Sequence, residues 1–128
     1  MKNLTYIIIL IGFLSQSCVQ ETHQKTVTFR VDMTSVPTAS NVGVRGSFTA
    51  NSWTETAPLT DKNGDGIYEG TFSQKTAINA IDFKFVNNDD YELKGQNNRT
   101  INFEYKPETI VYEAVFNNPN GEQIVIKN

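Results

Sequence analysis

The chain holds few of the side chains that perform covalent or acid–base catalysis. Its only histidine, His23, and its only cysteine, Cys18, both lie near the start of the chain, so no Ser-His or Cys-His pair is expected. The acidic cluster at 89–92 is too compact to face itself across a cleft, as glycoside hydrolysis requires. Opposed carboxylates such as Glu55 and Glu104 would need a cleft that a domain of this size rarely provides. The residue types predict a binding protein and not an enzyme.

The only tryptophan, Trp53, lies in a loop, residues 46–53, that follows a short apolar strand pattern. A Trp often anchors a core because its side chain buries a large apolar area. A Trp on a turn-rich loop, in contrast, is often available to a ligand. Position alone leaves two interpretations: a core ring reached from a loop, and an exposed ring that binds a ligand.

Three oxygen-bearing residues, Asp61, Asn63 and Asp65, have the spacing of the first half of an EF-hand calcium loop. The second half does not match, because Phe72 stands where that loop needs a bidentate glutamate, although Glu69 lies nearby. The same segment contains an Asn-Gly and an Asp-Gly pair, which are strong hairpin signals because these residues tolerate positive φ. The sequence therefore favours a hairpin, with a calcium site as the weaker alternative.

Alternation of apolar and polar residues predicts β-strands along most of the chain. From Lys25 onward, Val27, Phe29, Val31 and Met33 alternate with polar residues, which places one face of a strand in a core. Further strand patterns cover residues 41–48, 67–72, 81–85, 91–94, 99–103, 109–116 and 123–126. No window has helical periodicity with caps. Short strands separated by turn signals predict an all-β fold, an antiparallel immunoglobulin-like β-sandwich of about seven to eight strands.

The first 17 residues are typical of an export signal. Lys2 precedes an apolar run over residues 4–14, about half the ~20 residues that a membrane-spanning helix needs. Residues 14–18, Leu-Ser-Gln-Ser-Cys, resemble a lipobox in which the leucine lies one place further from the cysteine than usual. We therefore expect a lipoprotein signal peptide at 1–17, a lipidated Cys18 and a membrane anchor, with ordinary secretion as the alternative. Val19 is not the Asp that retains many lipoproteins at the inner membrane, so we expect the outer membrane, facing the cell surface.

After removal of 1–17, residues 18–24 are predicted to be a polar tether and residues 25–128 a single β-sandwich domain. This mature chain would carry 10 Lys and Arg against 14 Asp and Glu, a formal net charge of −4. Nucleic acid is not an expected partner, because no basic stripe is available to displace counterions. A domain of this size can bury enough surface to fold without disulfides, and we expect no cofactor.

Three segments occur in order along the chain: GSFTANSW at 46–53, GIYEGTF at 66–72 and IDFKFVNNDDYELKGQNNRTINF at 81–103. They resemble the starch-binding and glycogen-binding carbohydrate-binding modules. Those modules carry a Gly-x-Phe-x-x-Trp-like loop, an aromatic-Lys-Phe strand, an aromatic-Glu pair and an Asn-Arg pair in this order. The resemblance covers about residues 25–116. The chain also looks like single modules appended to secreted proteins and small lipoproteins of Bacteroidetes-type bacteria.

The resemblance implies a set of carbohydrate-binding residues. Trp53 corresponds to the first platform aromatic, Tyr91 to the second, Lys84 to the strand lysine, Glu92 to the acidic residue and Asn98 to the asparagine of the Asn-Arg pair. The family commonly has Trp at the second aromatic position, and Tyr keeps a flat ring of smaller area. The implied function is non-catalytic binding of α-glucan at the cell surface, with separate glycan-degrading or transport proteins as partners.

Carbohydrate chemistry agrees with these residue types. A glucose ring packs a face of C–H groups on an aromatic plane, and its hydroxyls donate and accept hydrogen bonds. Lys84 is expected to point out of the core between Phe83 and Phe85, with its donors free, and the Asn98 amide offers both a donor and an acceptor. Taken singly, a solvated strand lysine, a turn asparagine and a half-buried strand tyrosine are the alternatives. The alternative function is a structural or protein-interaction module on the same fold.

Overall fold

The computed structural model describes residues 18–127, and the export signal predicted at 1–17 lies outside them. The described residues form nine β-strands and no helix, which confirms the all-β prediction. The strands are β1 (His23–Asp32), β2 (Gly43–Gly46), β3 (Ala57–Pro58), β4 (Ile67–Thr76), β5 (Ala80–Asn87), β6 (Asp90–Tyr91), β7 (Arg99–Asn102), β8 (Glu108–Val115) and β9 (Gly121–Ile126). Across 18–127 no helix is long and apolar enough to span a membrane.

The strands form two sheets. Sheet A has four strands in the order β4-β1-β8-β9, and sheet B has five, in which β3-β2-β5-β6 form a path and β7 also pairs with β5. Strands β6 and β7 share one edge of β5, because β6 pairs with Val86 and Asn87 whereas β7 pairs with residues 80–83. The segment 92–98 therefore leaves this edge and returns to it beside the middle of β5.

The prediction of a fully antiparallel fold is wrong for one pair of strands. β1 pairs with β4 in antiparallel orientation but with β8 in parallel orientation, in a register that sets Thr28 opposite Val111. Side-chain alternation has the same period in both kinds of pairing. Because β1 and β8 are far apart in sequence, no turn signal reveals their relative direction.

Both sheets contribute to one aromatic core. Phe29 of β1 is fully buried, and its ring centroid lies 4.9 Å from that of Phe83 and 6.3 Å from that of Phe85, both on β5. Val27 and Val31 flank Phe29 on the same face of β1 and are also buried. The period of two in β1 therefore identified the core face correctly, and the two sheets pack in a sandwich-like arrangement.

Several strand boundaries differ from the sequence prediction, including those near both ends of the described residues. β1 begins at His23, so the last two residues of the predicted tether pair with β4, and the His23 ring packs edge-on against Tyr105 at 4.6 Å. At the other end, β9 begins at Gly121 and pairs with β8 as the edge of sheet A. The short strand β3 has only two residues, too few to show a period in the sequence.

Candidate functional site

Trp53 lies at the end of the loop that follows β2. Its backbone N–H donates to the carbonyl of Gly46 at 3.1 Å, which closes the loop over residues 46–53. Trp53 has a φ of +70°, in the left-handed region, where a bulky residue costs about 1–3 kcal/mol. The ring is partly exposed. The only tryptophan of the chain therefore occupies a strained backbone position. Such a position is a reason to consider the Trp53 ring as part of a candidate site.

Tyr91 is placed beside Trp53 by a tight hairpin between β5 and β6. Both turn residues, Asn88 and Asp89, have positive φ of 49° and 70°, as a two-residue type I′ turn requires. The Tyr91 hydroxyl donates to the backbone carbonyl of Trp53. The two ring centroids are 6.5 Å apart, the ring planes are tilted by 45°, and both residues are partly exposed. The structure thus brings together the two aromatics predicted for the site.

Arg45 is a third member of this cluster that the sequence reasoning missed. Its guanidinium carbon lies 5.4 Å from the Tyr91 ring centroid, its Nε donates to Thr56 Oγ1 at 2.7 Å, and it pairs with Asp89. Contact with the Tyr91 hydroxyl, opposed by a smaller effect of burial and helped by Asp89, raises the pKa of Arg45 above its ordinary value. The residue is therefore cationic at every working pH. In the sequence, Arg45 is the one charged residue of the short apolar strand β2, and this was the only signal that could have identified it.

The prediction that Lys84 has free donors is wrong. Lys84 is 9% exposed, and its Nζ donates to the backbone carbonyls of Leu93 and Gln96 at 2.8 and 3.0 Å. It points away from Phe83 and Phe85 as expected, but the segment 92–98 folds over that face of β5. The ammonium group therefore holds this segment to the sheet.

Glu92 is also an internal residue and not a surface ligand. Its side chain is fully buried and forms a bidentate ion pair with Arg99, with Nε–Oε1 and Nη2–Oε2 distances of 2.6 and 2.9 Å. The carboxylate also accepts the backbone N–H of Phe85 at 2.9 Å and of Asn117 at 3.0 Å. Arg99 donates further to the carbonyl of Asn118 at 2.6 Å. This pair ties β5, β7 and the β8–β9 turn together.

Burial of Arg99 acts to lower its pKa, but hydrogen bonding to Glu92 and the charge of that carboxylate outweigh the effect. The pKa of Arg99 consequently lies above its ordinary value. The guanidinium therefore remains charged throughout the working pH range.

Asn98 is exposed and lies in a separate depression beside Leu93, Gln96 and Pro119. Of the five predicted carbohydrate-binding residues, the aromatic pair lies together, Lys84 and Glu92 are internal, and Asn98 belongs to the segment that covers β5. The aromatic cluster of the structure consists of Trp53, Tyr91 and Arg45.

The segment with calcium-like spacing forms a tight turn. Asp61 Oδ1 accepts the backbone N–H of Gly64 at 2.8 Å, and Asp61 Oδ2 accepts that of Gly66 at 2.9 Å. Asp65 accepts the N–H of Ile67 at 2.9 Å, which lowers the pKa of Asp65 below its ordinary value. Between residues 18 and 127, no three His, Cys, Asp or Glu residues are grouped to hold a metal. The hydrogen bonds agree with the hairpin interpretation of Asp61, Asn63 and Asp65.

Comparison with protein-family models and with curated protein sequences gives no match for this chain. The class of protein is therefore defined by fold and site alone: an all-β domain of two sheets that presents a pair of tilted, partly exposed aromatic rings. Cys18, the predicted lipidation residue, is exposed at the start of the described residues.

Proposed function

We propose that this chain is a non-catalytic α-glucan-binding module on an immunoglobulin-like sandwich, and that Trp53 and Tyr91 form its binding platform. The observation that carries the proposal is the geometry of the two rings, 6.5 Å apart and tilted by 45°. An α-1,4-linked glucan curves, so two tilted rings can each pack against the C–H face of one glucosyl unit. The order of the sequence motifs supports the same ligand class.

Polar groups beside the rings supply hydrogen bonds to sugar hydroxyls. The Asp89 side chain is 85% exposed and accepts hydrogen bonds. The Arg45 side chain is 13% exposed and its guanidinium lies over the Tyr91 ring. With Nε bound to Thr56 and one Nη2–H bound to Asp89, three of its five N–H donors are left. In this proposal they take the place of Lys84 and Glu92, whose polar atoms are engaged inside the domain. A shallow, hydrated site of this kind corresponds to a Kd of about 10 μM to 1 mM, or about −7 to −4 kcal/mol.

In the same proposal the chain is exported, acylated on Cys18 and held at the outer membrane, displayed on the cell surface. Weak single sites suffice there, because many copies on one surface bind a polymer with an effective affinity above that of each site. The bound glucan would be held near separate glycan-degrading or transport proteins. The lipobox-like sequence before Cys18 supports this part of the proposal.

Affinity electrophoresis in gels containing amylose, combined with calorimetry with maltoheptaose and β-cyclodextrin, tests the proposal. We expect the chain to be retarded by amylose and not by xylan. Trp53→Ala and Tyr91→Ala should each weaken binding at least about fivefold, since stacking on an aromatic ring contributes about 1–3 kcal/mol in comparable contacts.

Tyr105→Ala is the matched control, because Tyr105 is an exposed aromatic that packs against His23 and not against the platform. It should bind amylose like the unaltered chain. Absence of retardation by every α-glucan, with the chain folded, would overturn the proposed function.

One observation favours the alternative, a protein-interaction module. Strand β9 is an edge of sheet A, and its residues Val125 and Ile126 are 45% and 43% exposed. An apolar edge strand is a surface on which another chain can add a strand. Sedimentation velocity of the unaltered chain and of Val125→Glu tests this alternative. Self-association that is lost when glutamate replaces Val125 supports it. A monomer at all concentrations argues against pairing of β9 with a second copy.

A further inference from the structure

A cavity of about 540 Å³ opens between the two sheets, on the side of β4. Its walls are mainly apolar, formed by Val27, Phe29, Phe48, Phe72, Ile81 and Phe103. A volume of this size lies within the range of small-molecule sites, which are typically about 300–1,000 Å³ and mostly apolar. Trp53 and Tyr91 do not line it, although Phe48, Thr49 and Ala50 of the loop that carries Trp53 do.

The cavity is elongated along the strands. It runs beside β1 from Lys25 to Phe29, four residue steps that span about 13 Å at the rise of a β-strand. Phe48 closes one end by stacking on Phe29, with ring centroids 5.4 Å apart and planes 12° from parallel. The aliphatic stem of Lys25 and the ring of Phe103 form the other end. A cavity that extends over this length along the strands can hold one extended alkyl chain.

The polar groups of the cavity indicate the head group that such a chain would carry. Lys25 Nζ is already bound, donating to Glu108 Oε2 and to the carbonyl of Glu104, each at 2.6 Å, and to the carbonyl of Lys106. It therefore offers no free cation to a carboxylate ligand. Of the other lining residues the only charged one is Glu55, which is exposed. An anionic head group would therefore find no free cation in the lining of the cavity.

Uncharged hydrogen-bonding groups complete the rim. Thr49, Thr56, Gln74 and Thr76 all line the cavity. Hydroxyls and an amide both donate and accept hydrogen bonds, so they suit a head group that is itself hydroxylated.

We propose that this cavity binds a single-chain acyl amphiphile with an uncharged, hydroxyl-bearing head group, such as a monoacylglycerol. The alkyl chain lies along β1 and β4 against the Phe29–Phe48 wall, and the head group lies at the rim near Gln74 and Thr76. No covalent step is involved. The proposal does not depend on the sugar-binding proposal.

Displacement of the fluorescent probe N-phenylnaphthylamine tests the inference, using the full chain with Cys18→Ser and no detergent. Monolauroylglycerol should displace the probe with a stoichiometry of one. Shortening its chain by two methylenes, to monodecanoylglycerol, should weaken binding about fifteenfold, because each buried methylene contributes about a factor of four. Laurate should bind about tenfold or more weakly than monolauroylglycerol, since its charge has no partner at the rim.

Gln74→Trp and Lys75→Trp form a matched pair on β4. Gln74 faces the cavity opposite Lys25, whereas Lys75 is exposed, points to the other face and does not line the cavity. We expect Gln74→Trp to weaken monolauroylglycerol binding at least about tenfold and Lys75→Trp to leave it unchanged. If Gln74→Trp fails to fold, the comparison of monolauroylglycerol with monodecanoylglycerol on the protein with Gln74 unaltered still tests the inference. Tyr91→Ala should weaken glucan binding and leave acyl binding intact, which separates the two proposals.

Three results would overturn the inference. The first is the absence of saturable displacement by any monoacylglycerol. The second is displacement whose strength does not change with chain length, which would indicate a ligand class other than acyl chains. The third is binding to the Cys18→Ser chain but not to the membrane-purified chain with its cysteine intact, which would identify an acyl group on Cys18 as the occupant.

Discussion

Replacing Glu92 by Gln tests whether the buried ion pair is a structural element or part of a ligand site. The substitution preserves side-chain shape but removes the charge that faces Arg99. It also replaces one carboxylate oxygen by an NH₂ group. If the NH₂ takes the place of Oε2, it faces the N–H groups of Arg99 and Asn117, which donate to Oε2 at 2.9 and 3.0 Å. If it takes the place of Oε1, it faces the N–H groups of Phe85 and Arg99. In either orientation at least two N–H donors lose their acceptor.

The size of the effect follows from burial. The side chains of Glu92 and Arg99 are 0% and 1% exposed, so solvent cannot compensate for the lost partner. Breaking a buried ion pair from one side typically costs about 3–5 kcal/mol. For a domain of this length that loss lowers Tm by about 12–20 °C, at roughly 4 °C per kcal/mol. It is also a large part of the stability of an average domain, about 5–15 kcal/mol.

Urea unfolding followed by tryptophan fluorescence and by circular dichroism measures this loss. Glu122→Gln is the matched control, because Glu122 is exposed and its replacement should change stability by less than about 0.5 kcal/mol. A loss below about 1 kcal/mol for Glu92→Gln would refute the reasoning. A large loss of glucan affinity in folded Glu92→Gln would also refute the reasoning, because the carboxylate would then contact the ligand.

Three further predictions concern the loops and the covered lysine. Lys84→Met should destabilise the domain by about 1–3 kcal/mol in urea unfolding, because two carbonyls lose a charged donor, and it should leave amylose retardation unchanged; weaker retardation would restore Lys84 to the site. Trp53→Gly should be about 1–2 kcal/mol more stable than Trp53→Ala, because only glycine relieves the positive φ, and equal stability would contradict the strain. In an NMR titration Asp65 should have a pKa below its ordinary value. Its stabilising effect is then present above the ordinary pKa and is lost as the pH falls through the lowered one. A Tm raised by calcium or lowered by EDTA would support the calcium alternative for this turn.

Period-two patterns predicted the long strands well because their faces differ strongly in environment. β1 alternates between Phe29-type core positions and polar outer positions, and every second residue from Lys25 to Met33 is buried. The two-residue strands β3 and β6 could not be delimited, because two residues have no period and their pairing depends on the neighbouring strand. The direction of β8 relative to β1 was equally hidden, since parallel and antiparallel neighbours share one alternation.

The errors at the site have a different cause. Alternation correctly placed Lys84 on the outer face of β5, but it carries no information on which segment covers that face. Leu93 has a φ of +49° and is buried, so the chain turns after β6 and lies over the lysine. Glu92 is predicted among the carbohydrate-binding residues, because no local pattern shows that its partner is Arg99, seven residues away on another strand. The resemblance stated in the sequence analysis predicts one site for Trp53 and Tyr91, whose rings lie 6.5 Å apart, but it implies no role for Arg45.

The central position of β1 in sheet A also determines how the domain responds to force. Ten residue pairs join β1 to β4 and eight join it to β8. A pull through residues 18–22 acts along the axis of β1, so it loads both ladders in shear and many hydrogen bonds resist it together. A strand at the edge, peeled from its end, would release its bonds one after another. A load applied to residues 18–22 therefore acts first on the two longest strand ladders among the described residues.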